Sequence, residues 1–204
     1  MSGGTRKAEY IAVLQSELVT QSFIKSRDLL PVLYSNLWDS RDARWKTNDP
    51  DKQPTLWKAY KLFNKKIRNV TEDKTTGLVT MRIEWKDARQ AADWANGLVQ
   101  LTNQYLRNKA ISEAERNIAY LNSEAAKTNI VEVKTSIYAL LQQEINTEMV
   151  ARGRDEYALK VIDPAYVPEK PVSLGPLTLA IFGLLAGGLG CLTFILVRRI
   201  YSKS

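Results

Sequence analysis

The chain has 204 residues, 45% apolar and 25% charged, which suits one globular domain with a short addition and not a disordered polymer. Its 29 basic and 22 acidic residues leave +7 at pH 7, yet no basic run is interleaved with aromatics, so nucleic-acid binding is a poor reading. There is no histidine and one cysteine, Cys191, which excludes Ser-His and Cys-His catalysis, imidazole metal sites, an intrachain disulfide and cysteine-based zinc.

Taken in chain order, residues 6–26 predict a helix, because Tyr10, Val13, Leu14, Leu18 and Phe23 recur near 3.6-residue spacing. Leu29 to Leu33 is a short apolar run that Pro31 removes from any central strand. Residues 35–53 are polar and proline-bearing and predict a loop. Pro54 opens a helix to about Ile67, with Leu56, Trp57, Tyr60 and Phe63 on one side. The cluster Lys61, Lys65, Lys66 and Arg68 is the densest basic group, and its spacing reads as a solvated helix face.

Arg68–Asp73 and Leu78–Lys86 flank Lys74-Thr75-Thr76-Gly77. Val79, Met81, Ile83 and Trp85 alternate with Thr80, Arg82 and Glu84, so a β-hairpin with one buried face is expected. Asp87 is a suitable N-cap for a helix running to about Lys127. At about 1.5 Å per residue that helix is roughly 60 Å long, more than a small domain can cover. A second helix follows from about Val131 to Ala151, and the pair forms an αα-hairpin that Gly153 ends. Glu156 to Ile162 reads as a strand that could join the hairpin's sheet.

The last fifth changes character. Pro164, Pro168, Pro171 and Pro176 make residues 163–176 a stiff connector. Leu177 to Val197 is then uncharged over 21 residues, enough at about 1.5 Å each to cross a hydrocarbon core of roughly 30 Å. Arg198, Arg199 and Lys203 follow it and favour a cytoplasmic tail, 198–204, with the body outside. Residues 1–7 have no apolar core of a signal peptide. The chain therefore reads as a fragment that has lost a leading span, or as a tail-anchored protein with its body inside the cell; the fragment is the expectation. Gly183 and Gly187 form a G-x-x-x-G pair that suits packing of membrane helices.

The expected fold class is α+β: a small mixed sheet base (1–86 and 154–166), a long protruding αα-hairpin (87–153), and one C-terminal transmembrane helix (177–197). No catalytic, cofactor-binding or metal residues are expected. Glu113 with Glu115, and Asp155 with Glu156, read as solvated partners of basic neighbours. Trp57, Trp85 and Trp94 are expected in the core, whereas Trp38 and Trp45 are freer to contact a sugar.

Nearly the whole chain resembles the Wzz-type chain-length determinants, the polysaccharide co-polymerases of bacterial inner membranes. The matching blocks, in family order, are Glu9 to Ala12, Leu29 to Leu33, Trp38-Asp39, Pro54 to Trp57, Thr76 to Thr80, Glu84 to Asp87, Trp94-Ala95-Asn96, Glu113 to Leu121, and Val161 to Pro171. The resemblance implies a membrane-proximal α/β base, a helix projecting into the periplasm, and a ring-like homo-oligomer. It also implies a non-enzymatic role, without cofactors, in setting the chain length of O-antigen or a related exopolysaccharide beside a Wzy-type polymerase. The expected partners are self, that membrane-embedded polymerase and the glycan. The family's first span and leading strands have no counterpart here. On this reading the stripe Ala91, Ala95, Leu98, Tyr105, Ala114, Ile118 and Leu121 carries contacts between protomers. The alternatives are a tail-anchored cytoplasmic adaptor and an envelope component of capsule export.

Overall fold

The computed structural model describes residues 3–167. Among them the order of elements is α1 (Gly3–Gln15), α2 (Glu17–Ser26), α3 (Leu30–Leu33), β1 (Trp38–Asp39), β2 (Arg44–Trp45), α4 (Leu56–Leu62), β3 (Arg68–Glu72), β4 (Val79–Ile83), α5 (Ala88–Lys127) and α6 (Val131–Arg152). A 3-10 turn at Pro50–Lys52 precedes α4, and a π-helical turn at Phe63–Ile67 extends it.

The single helix expected over 6–26 is two helices. Ser16 leaves helical geometry and its hydroxyl accepts from Val19 N, capping α2. The carbonyls freed at the end of α1 are taken by a residue far along the chain: Arg68 donates to Leu14 O at 2.8 Å and Gln15 O at 3.0 Å. The same guanidinium donates to Thr20 Oγ1 at 2.9 Å and Asn64 Oδ1 at 2.8 Å, so it joins α1, α2 and the π turn to the start of β3. Local periodicity cannot reveal a break that a residue about fifty positions away stabilises.

The core lies where α2, α3, α4 and the first four turns of α5 meet. Phe23, Ile24, Phe63 and Leu98 are fully buried, with Val19, Leu29, Ile67 and Trp94 around them. Phe63 links Phe23 and Trp94 at ring separations of 6.2 and 6.1 Å, and Trp94 continues to Trp85 at 5.0 Å. Each such side chain stabilises the fold by about 1.5–3 kcal/mol on burial. Gly97 permits the approach of α2 to α5: a Cβ there would lie 3.2 Å from the Phe23 ring and 2.7 Å from the Arg27 guanidinium. Trp57 corrects the expectation of a core residue, being half exposed at 50%. It lies one residue into α4, on the side away from inward-facing Ala59 and Phe63.

The expected fold class needs correction in its sheet and in its membrane helix. In place of one mixed sheet there are two separate antiparallel ladders, β1 with β2 and β3 with β4. In the second, Arg68 pairs with Ile83 and Glu72 with Val79, and Gly77 turns the chain at φ +71°. Residues 156–162 form no strand. The backbone of Ala158 and Leu159 is met by the Asn103 side chain of α5 instead. Among the described residues no helix is long and apolar enough to cross a membrane. The longest, α5, is charged on both sides of an uncharged stretch, Trp94 to Leu106, that is too short to span. The expected span at 177–197, the pair Gly183 and Gly187, the connector prolines 168, 171 and 176, and the tail 198–204 lie outside the described residues.

Candidate functional site

The αα-hairpin is the feature that a small domain has least structural reason to build. Asp87 caps α5 by accepting from Arg89 N and Gln90 N, and propagation is then unbroken for 40 residues. Thr128 and Asn129 turn the chain, and α6 returns for 22 residues. Three alanines and one leucine lie buried along the two helices: Ala114 and Ala125 on α5, and Leu141 and Ala151 on α6. Arg152 ties the helices together, donating to Glu148 at 2.7 Å within α6 and to Glu115 of α5 at 2.5 Å. Its hydrogen bond to Glu148 is the main reason its guanidinium is pushed above its ordinary value.

The stripe assigned to contacts between protomers is largely used inside the protomer. Leu98 is fully buried, Ala95 and Trp94 lie beside it, and Ala114 is 1% exposed. Ala91, Tyr105, Ile118 and Leu121 are half-buried, and Tyr105 packs against the core cluster. Of the expected connector, Pro164 is exposed and in irregular backbone.

A different apolar surface is left uncovered on α6. Val131, Tyr138, Ile145 and Met149 are 70%, 57%, 43% and 65% exposed. Their spacing of seven, seven and four residues places them along one side of the helix. Val133 and Leu140, again seven apart, form a second exposed row, and Tyr120 of α5 adds another exposed ring. Ile137 is half-buried and Leu141 is buried, so the two exposed rows flank an inward side of the helix.

Sequence reading also missed two asparagines. Asn103 is 4% exposed on α5; its Oδ1 accepts from Ala158 N at 3.0 Å and Leu159 N at 2.8 Å, and its Nδ2 donates to Leu159 O at 2.8 Å. Two turns earlier, Asn96 exchanges bonds of 2.9 Å with both the N–H and the carbonyl of Ala165. The two amides act as surrogate peptide groups, so residues 158–165 run back along α5 toward its start. The available signal was an asparagine at an apolar helix position, which needs polar partners once buried.

An open recess of about 200 Å³ is lined by Phe23, Ser26, Arg27, Gly97, Gln100, Leu101 and Gln104. Its one charged group, Arg27, is bound to Asp93 at 2.5 Å and lies 5.6 Å over the Phe23 ring. Trp38 and Trp45 are half-buried and meet edge to face at 4.8 Å, which occupies part of the ring surface that a sugar would use. Among the described residues no acidic cluster could hold a metal ion. No protein-family model matches the chain, and no curated protein matches it.

Proposed function

We propose that this chain is a non-enzymatic scaffold at the periplasmic side of a bacterial inner membrane. It would set the chain length of an exported polysaccharide beside a membrane-embedded polymerase, as a homo-oligomer. The observation that carries the reading is a braced base from which α5 and α6 project with two exposed apolar rows, together with the run of Wzz-type sequence blocks. A projecting hairpin of this kind covers its inner face with its own partner helix and leaves the outer rows for neighbouring copies. Covering these partly exposed residues would favour association, each by less than the roughly 1.5–3 kcal/mol of a full burial. Several copies side by side then form a wall whose geometry limits how long a growing glycan stays beside the polymerase.

The test is the pair of substitutions Ile145→Glu and Met149→Glu in the full-length chain. Both sites are exposed in the protomer, so helicity and thermal unfolding should be retained. Self-association in detergent should weaken at least tenfold by sedimentation. With the cognate polymerase, the glycan distribution on a gel should lose its modal length. Unchanged self-association would overturn the assignment of this surface. A retained modal length in a variant that no longer assembles would overturn the function.

A further inference from the structure

We propose that the outer face of α4 and its π-helical continuation, Trp57 with Lys61, Lys65 and Lys66, docks on the headgroups of an anionic lipid bilayer. This goes beyond the chain-length reading and stands on charge, exposure and pairing alone.

From Pro54 to Thr71 the chain has five basic residues and no acidic one, although 22 acids are spread over the whole sequence. Lys61, Lys65 and Lys66 are exposed and enter no ion pair among the described residues. Other surface cations, such as Lys7, Arg44 and Lys109, do find carboxylates. Lys58 shares the face but spends its ammonium on the carbonyls of Asp51 and Gln53. The flanking acids are engaged or set apart: Asp49 pairs with Lys52, Glu72 pairs with Lys7, and Asp51 lies on the preceding 3-10 turn.

The backbone explains why the lysines stay together. Ala59, Phe63 and Ile67 face the core. In a regular α-helix, Lys66 would rotate toward the side of Ala59; the wider π turn seats both Phe63 and Ile67 inward and leaves Asn64, Lys65 and Lys66 outside. The Lys61 ammonium lies 3.6 Å from the centre of the half-exposed Trp57 ring. An indole and a lysine together on a convex helix face suit the boundary between headgroups and acyl chains. A plane of lipid phosphates can meet such an exposed helix face without needing a groove. Each lysine brought beside an anionic leaflet strengthens partitioning roughly fivefold, so the three together contribute on the order of a hundredfold.

The experiment is chemical footprinting of the full-length chain mixed with three probes: phosphatidylcholine vesicles, vesicles containing phosphatidylglycerol, and a soluble polyanion such as single-stranded DNA. Acetylation of Lys61, Lys65 and Lys66 should slow at least threefold with phosphatidylglycerol relative to phosphatidylcholine, and recover in high salt. Exposed Lys74 and Lys160 should change equally in both vesicle types. Oxidation of Trp57 should be suppressed in the same samples, and that suppression should vanish in the variant Lys61→Gln, Lys65→Gln, Lys66→Gln. Equal acetylation in the two vesicle types overturns the proposal. Protection by the soluble polyanion without protection by phosphatidylglycerol also overturns it, and assigns the face to a polyanionic macromolecule.

Discussion

The guanidinium of Arg68 is buried and has no carboxylate among the described residues to balance it. Burial pushes it down to about 10, so it remains charged at neutral pH. Its partners are two helix-end carbonyls, a hydroxyl and an amide oxygen, all at the negative ends of dipoles. Hydrogen bonds to a charged group contribute about 1.5–3 kcal/mol each, which offsets a desolvation cost of several kcal/mol. Asp73 shows the opposite balance on the surface. Its carboxylate accepts from the Thr76 hydroxyl at 2.8 Å and from the Thr75 N–H at 2.8 Å, and these bonds, the hydroxyl first, hold it below its ordinary value of 3.8. Because the folded value is the lower one, this support for the β3–β4 turn is fully present above the ordinary value and is lost as pH falls through the folded one. In a pH titration by NMR, the Thr75 amide should shift with a midpoint below 3.8. Asp73→Asn should flatten that shift, and a midpoint at or above the ordinary value would refute the account.

At the scale of elements, the segment after α6 is held by side chains, not by a ladder. Asn103 makes three hydrogen bonds to residues 158 and 159, and it is buried, so each is protected from water. Asn103→Leu keeps the volume but leaves those backbone groups unmet, at a cost of about 1–3 kcal/mol for each that stays buried. The expected outcome is local: the helices persist by circular dichroism, while trypsin cuts after Arg154 and Lys160 at least tenfold faster. Loss of the whole fold in step with the cleavage would show that the segment is part of the cooperative core. Arg107, paired with Asp155 at 3.0 Å, supports the same segment, but its partner is fully exposed and contributes little.

Across the whole molecule, packing is unevenly distributed. The core cluster draws on α5 only as far as Leu98, with Leu101 and Tyr105 packed against it. Beyond Leu106, the buried residues of α5 are Ala114 and Ala125, and those of α6 are Leu141 and Ala151. Stability therefore falls from base to tip. Amide exchange at low protein concentration should show protection around residues 118–138 at least tenfold below that around 94–106. Self-association should raise protection at the tip if the exposed α6 rows are covered by another copy. Uniform protection along α5 in the dilute protomer would contradict this gradient.

Sequence alone determined what rests on local physics. The alternation Val79, Met81, Ile83 marks a strand, Asp87 marks the start of α5, and the proline-free run to Lys127 marks its length; each depends on neighbours in the chain. The candidate surface was partly legible too, since a long helix and a returning one can be read from periodicity. Tertiary structure decided which apolar residues are spent. Leu98 and Ala114 look as available as Tyr138 and Met149 by type and spacing, yet the first pair is buried and the second exposed. The break at Ser16 and the undoing of the strand at 156–162 were also tertiary decisions. Both turn on a single polar side chain, Arg68 or Asn103, reaching backbone groups about fifty residues away, and no pattern of nearest neighbours carries that distance.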